Sequence, residues 1–134
     1  MKIATLIARS LLGLMFVVFG LNGFFHFIPQ PPPPPGLPSQ YLGVLAASHL
    51  LAPVYLLQFI SGVLLLLNRY VPIALVLLGP VIVNILLYHS LMDPKGLPPG
   101  LVALALYLIV FNSVRSAFAG VFAMRAETND AARR

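Results

Sequence analysis

The chain has 134 residues, 60% of them hydrophobic and only 8% charged. The length allows one ordinary domain, but an average soluble domain carries about 25% charged residues, so the composition excludes a soluble domain and a disordered chain alike. The 0 cysteines exclude a disulfide scaffold, a Cys-ligated zinc or iron–sulfur centre and thiol chemistry in this chain. The formal charge of +5 comes from 8 Lys and Arg against 3 acids. The basic residues sit between apolar runs, so they read as signals of membrane orientation and not of nucleic-acid binding.

A hydrocarbon core of about 30 Å needs about 20 apolar residues as helix. Four runs qualify as spans, roughly 5–27, 52–67, 72–91 and 101–122. Backbone polar groups cannot go unpaired in lipid, which makes these runs helices. The alternation of a membrane barrel is absent. The first run begins like a signal peptide, but it stays apolar through Phe24, Phe25 and Phe27 without a clean cleavage site. It is therefore expected to be retained.

Residues 28–40 form a Pro-rich loop around Pro31 to Pro35. Consecutive prolines favour an extended, stiff spacer. The alternative use, as a docking ligand for an aromatic groove, suits a cytoplasmic segment better. Residues 39–48 place Tyr41, Leu42, Val44 and Leu45 at helical spacing, which predicts a short interfacial helix. Pro53 then falls in the first turn of the spanning helix, where proline is tolerated. That span, from about Ala52 to Leu67, is about 24 Å at 1.5 Å per residue. His49 lies in the turn before it as an interface histidine.

Pro72 can open the third helix, and Gly79-Pro80 predicts a kink within it. Asp93-Pro94-Lys95-Gly96 and Pro98-Pro99-Gly100 read as a second loop. Residues 123–134 form a polar tail. Lys2, Arg9, Arg69, Arg115, Arg125, Arg133 and Arg134 fall on one side of this arrangement, and Lys95 alone on the other. The positive-inside rule then places both termini in the cytoplasm and the two longer loops outside.

Polar residues within spans are costly and often functional. Asn22, His26, Gln58, Asn84 and His89 all fall towards the outer half in this arrangement. Asn22 and His26 are four apart, on one helix face. Gln58 shares a face with Ser61 and Gly62, where a neighbouring helix can approach. Asn84 and His89 are five apart, about 140° around an ideal helix. His89 also stands four before Asp93, so a local His–Asp pair competes with a shared cavity. Three readings stay open: interhelical hydrogen bonding, a pocket for a quinone or lipid head group, and a haem or metal held by His26 and His89, for which the ligand set is weak. Gly13, Gly20 and Gly23 give the first helix a small face for packing. No catalytic motif for hydrolysis or phosphoryl transfer is present.

The segments Ala8-Arg9-Ser10-Leu11-Leu12-Gly13-Leu14 and Val18-Phe19-Gly20-Leu21-Asn22-Gly23-Phe24 resemble the start of the DoxX-like family. So do Gly62 to Pro72 and, most closely, Pro80 to His89 followed by Asp93-Pro94. The resemblance covers the chain to about Arg115. It implies an all-α, four-helix bundle in a bacterial inner membrane. Some members resemble subunits of a thiosulfate:quinone oxidoreductase, and others are linked to oxidative-stress complexes. The position of Gln58 is often acidic in that family, and the Pro31 to Pro35 run is not one of its features.

Two functions follow as expectations. One is a small quinone- or lipid-interacting subunit of a membrane redox system, using Asn22, His26, Gln58, Asn84 and His89. The other is a structural accessory subunit, packed against a larger membrane complex or a second copy of itself. Quinone is the expected cofactor class, ahead of haem.

Overall fold

A computed structural model describes residues 2–130, and every regular element among them is helical. Helix α1 is Lys2–Phe25, α2 is Leu37–Ala47, α3 is Leu51–Leu66, α4 is Val71–Leu91 and α5 is Leu97–Ser113. Short 3-10 turns cover Pro94–Gly96 and Arg115–Phe118. Three stretches, Lys2–Phe25, Val71–Leu91 and Pro94–Ser113, are long and apolar enough to cross a membrane. α2 and α3 would supply a further crossing only as a pair, and they meet at 84°. Arg133 and Arg134 of the basic tail lie outside the described residues.

The helix ends have local causes, and several differ from expectation. α1 stops at Phe25 and not at Phe27. His26 takes a left-handed backbone (φ 52°) after its N–H has closed the last turn on the Asn22 carbonyl at 2.8 Å. His26 therefore does not continue the face that carries Asn22. α2 follows Gly36, whose φ of 98° suits only glycine, at the end of the proline run. The separate short helix is present, and the break at Ser48, His49 and Leu50 includes a left-handed His49 (φ 61°). α3 closes with paired bonds from Asn68 N–H to the Leu65 carbonyl (3.2 Å) and Arg69 N–H to the Leu64 carbonyl (3.0 Å), around a left-handed Asn68. That is a Schellman ending, with asparagine in the place usually taken by glycine.

α4 runs from Val71 to Leu91 as one helix with Pro80 inside it and Pro72 in its first turn. The fourth apolar run is shifted from its expected place. α5 begins at Leu97, so Pro98, Pro99 and Gly100 form its first turn and not a loop. Those prolines remove N–H groups that have no intrahelical partner there. α5 ends at Ser113 and not near Phe122, where Val114 leaves helical geometry (φ −119°) and Ser113 Oγ turns back to the Val110 carbonyl at 2.6 Å.

α1 packs against α3 and α5, and α4 packs against the same two, while α2 touches the rest only sparsely. The buried side chains include Leu12 and Phe16 of α1, Leu65 of α3, Leu75 and Leu78 of α4 and Val110 of α5. The buried residues of α4 all lie between Val71 and Ile82, on one helical stripe. One end of the molecule, formed by the start of α1, the α3–α4 turn and the end of α5, holds Lys2, Arg9, Arg69 and Arg115. This basic end is opposite the proline end, where the Pro-rich segment, α2 and the α4–α5 turn lie.

α1 and α3 make the most extensive helix–helix contact among the described residues. A Cβ on Gly62 would lie 2.7 Å from the Gly13 carbonyl and 2.7 Å from the Val17 nitrogen. A Cβ on Gly20 would lie 2.8 Å from both the Phe59 nitrogen and the Tyr55 carbonyl. The predicted small face of α1 is thus buried against α3, backbone against backbone. We expect Gly62→Ala and Gly20→Ala each to destabilise the protein by about 1–3 kcal/mol, the usual cost of overpacking. Gly43→Ala on α2, where nothing lies within 4 Å, is expected to be neutral or slightly stabilising. Thermal unfolding followed by circular dichroism in detergent checks both, and equal melting of all three variants would refute the crossing.

Candidate functional site

The polar residues of the apolar runs sit mainly towards the proline end, but each meets a different local demand. Asn22 is 7% exposed, and its amide faces the backbone of Ile28. Its Oδ1 accepts the Ile28 N–H at 2.6 Å and its Nδ2 donates to the Ile28 carbonyl at 3.4 Å. The side chain replaces the next peptide unit of the helix and sets the direction in which the Pro-rich segment leaves. His26, beyond the helix end, is exposed.

Asn84 lies on an exposed part of α4, and its Nδ2 donates to the Pro80 carbonyl one turn earlier at 3.0 Å. His89 is half-buried, and its Nδ1 lies 3.0 Å from the Asp93 carbonyl oxygen. A carbonyl can only accept, so Nδ1 is the donor in this bond. The expected His–Asp pair exists, then, as a bond to the backbone of Asp93 and not to its carboxylate. The ring packs over Gly96, where any Cβ would collide with it. It also meets Tyr88 edge-on at 4.9 Å, and Tyr88 in turn stacks on Tyr41 of α2 at 5.8 Å. His89 therefore shapes the turn into α5, and Tyr88 ties α2 to the end of α4.

Gln58 differs from the others. It is 7% exposed on the α3 face that also carries Ser61 and Gly62. Ser61 Oγ is fully buried with no hydrogen-bond partner among the described residues. A buried hydroxyl without a partner costs about 1–3 kcal/mol. Gln58 and Ser61 share one face, but the other four residues are engaged or exposed elsewhere. Neither described cavity is lined by any of the five.

Two further residues, Tyr107 and Arg9, have structural roles that their sequence positions do not specify. Tyr107 of α5 donates its hydroxyl to the Leu75 carbonyl of α4 at 2.9 Å, and Gly79 leaves room for it. The signal was a tyrosine in an apolar run opposite a Gly-Pro pair. Arg9, read only as an orientation signal, donates Nη1 to the Leu65 carbonyl and, at 3.5 Å, to the Leu66 carbonyl. It thereby caps the negative end of the α3 dipole.

Comparison with models of protein families, with curated proteins and with solved structures gives no match to this chain.

Asn22→Leu leaves the Ile28 N–H and carbonyl without partners and is expected to cost about 1–3 kcal/mol. Asn84→Leu removes a bond within one helical turn and is expected to cost no more than about 0.6 kcal/mol. Melting temperatures of the two variants in the same detergent decide the matter. An equal or reversed order would mean that the Asn22 clamp does not hold the turn.

Proposed function

We propose that the protein is a DoxX-like, four-span bundle of a bacterial inner membrane, with both termini cytoplasmic. We further propose that it acts as a lipid-interacting subunit of a membrane system and carries no catalytic group of its own. Support for the bundle comes from the order of helix contacts, α1 to α3 to α4 to α5 and back to α1. The antiparallel pairing supports it too, with Gly13 beside Gly62 and Gly20 beside Phe59. The gathering of Lys2, Arg9, Arg69 and Arg115 at one end supports the orientation.

The observation that carries the functional reading is the way the polar side chains are used. Asn22, Asn84 and His89 bond to nearby backbone, while Leu6, Leu14, Ile60, Val76, Val83 and Leu108 are among the exposed apolar residues along the helices. That exterior matches acyl chains, and the polar groups are not left converging on a quinone carbonyl. A structural accessory role is the second reading. It is favoured by α2, which is exposed along most of its length and sparsely packed, so that a face is left for a larger complex or a second copy.

The absence of cysteine allows a clean topology test. Single cysteines replacing Gln30 and Lys95 are expected to react with a membrane-impermeant maleimide from outside the cell. Cysteines replacing Arg69 and Arg125 are expected to react only after permeabilisation, and outside labelling at Arg69 would overturn the orientation. Native mass spectrometry from mild detergent is expected to show retained phospholipid. A stoichiometric quinone or haem, lost in Asn84→Leu and His89→Leu, would replace the lipid reading with the redox one. A larger protein partner without a small molecule would replace it with the accessory one.

A further inference from the structure

At the basic end the first turns of α1, the α3–α4 turn and the end of α5 enclose an open cleft of about 830 Å³. Its polar lining comes from Lys2, Thr5, Arg9, Asn68, Asn112 and Ser113. Two of these are cations, and no carboxylate among the described residues lines the cleft. The chain has only three acids: Asp93 is at the proline end, and Glu127 and Asp130 belong to the tail. Among the described residues, the positive charge in the cleft has no carboxylate beside it in the lining.

Arg9 is held in place for such a role. Its Nη1 bonds to the Leu65 and Leu66 carbonyls fix the guanidinium at the cleft wall. A guanidinium carries five N–H donors, so Nε and the second terminal nitrogen keep theirs. On the α5 wall, Arg115 donates to Asn112 Oδ1 at 3.5 Å, which leaves the Asn112 amide nitrogen as a donor. The unpaired N–H groups of the first turn of α1 add a weaker field of the same sign.

The remaining walls are apolar, including Leu6, Val71, Ile109 and Val110. Leu6 is 53% exposed and Ile109 is 44% exposed, so the cleft is flanked by lipid-facing side chains of α1 and α5. A free inorganic anion would find no use for that flank. A molecule with an anionic head and an apolar tail fits both parts.

We propose that this cleft binds the phosphate of an anionic glycerophospholipid from the leaflet at the basic end, with Arg9 and Lys2 on the phosphate and the acyl chains along Leu6 and Ile109. The inference rests on the lipid-interacting reading above and deepens it. The lipid would hold α1, α3 and α5 together where α3 ends, so binding stabilises the fold.

The test uses the full chain in a neutral detergent. The shift in melting temperature is measured with phosphatidylglycerol, with phosphatidylcholine of the same acyl chains, and with inorganic phosphate. Phosphatidylglycerol is expected to raise the midpoint, and the other two are not. Lys2→Gln is expected to weaken apparent phosphatidylglycerol affinity about fivefold, the effect of one cation near a lipid surface. Arg9→Gln does the same if it folds. Because Arg9 also caps α3, Lys2→Gln and Asn112→Ala carry the test if it does not. Arg125→Gln, in the tail and away from the cleft, is expected to have no effect.

Equal weakening by Arg125→Gln would show diffuse surface attraction and overturn the site. Equal protection by phosphatidylcholine or by phosphate would overturn the proposed ligand. Retained phospholipid without preference for the anionic one sinks the site and leaves the lipid-interacting reading standing. Loss of all bound lipid in native mass spectrometry sinks both.

Discussion

The structure depends on how closely α1 and α3 approach. In water a helix pair can be driven together by removing apolar surface, but between helices surrounded by hydrocarbon that gain is small, and packing must supply it. Here Gly13, Gly20 and Gly62 remove side chains where the helices cross, so backbone meets backbone. Once α1 and α3 are held, the end of α3 is close enough for Arg9 to cap it. α5 can then lie against α1, and α4 fills the gap between α3 and α5. Bulkier residues at the crossing would displace the cap and the cleft together.

Polar chemistry in this protein mainly repairs backbone. Asn22 completes the end of α1, His89 completes the turn before α5, and Tyr107 of α5 donates to the Leu75 carbonyl of α4. Asn22 and His89 bond to peptide groups where a helix ends, and Tyr107 adds a bond between α5 and the backbone of α4. In an apolar surrounding such groups are expensive to leave alone. Gln58 and Ser61 are the exception, and their buried face beside the glycine crossing is the one polar spot there without such an explanation.

Much of the fold was legible in the sequence because it followed from length, hydropathy and proline position. The apolar runs became helices, and Pro53 and Pro72 fell in first turns. The separate short helix before α3 could be read from the spacing of Tyr41, Val44 and Leu45. The ends were harder. Apolar Phe27 and Phe122 look like helix interior, but the chain turns at His26 and Val114 through backbone geometry that composition does not encode. Pro98 and Pro99 looked like a loop because proline marks both a loop and a helical first turn. The grouping of Asn22, His26, Gln58, Asn84 and His89 was legible only as shared depth. It depended on face and on competing local partners: Asn84 and His89 bond to carbonyls four residues away, and Asn22 to the backbone of Ile28.

The 84° corner between α2 and α3 also bears on membrane thickness. α3 has 16 residues, about 24 Å of helix, against about 30 Å of hydrocarbon. In the proposed orientation α2 lies across the outer end of α3 like the crossbar of an anchor. In that orientation the Schellman turn and Arg69 would lie at the opposite surface. A crossing made by α3 alone, in that orientation, would require the lipid to thin around it. The protein would act as a local gauge of bilayer thickness, drawn to thin membrane and perturbing thick membrane.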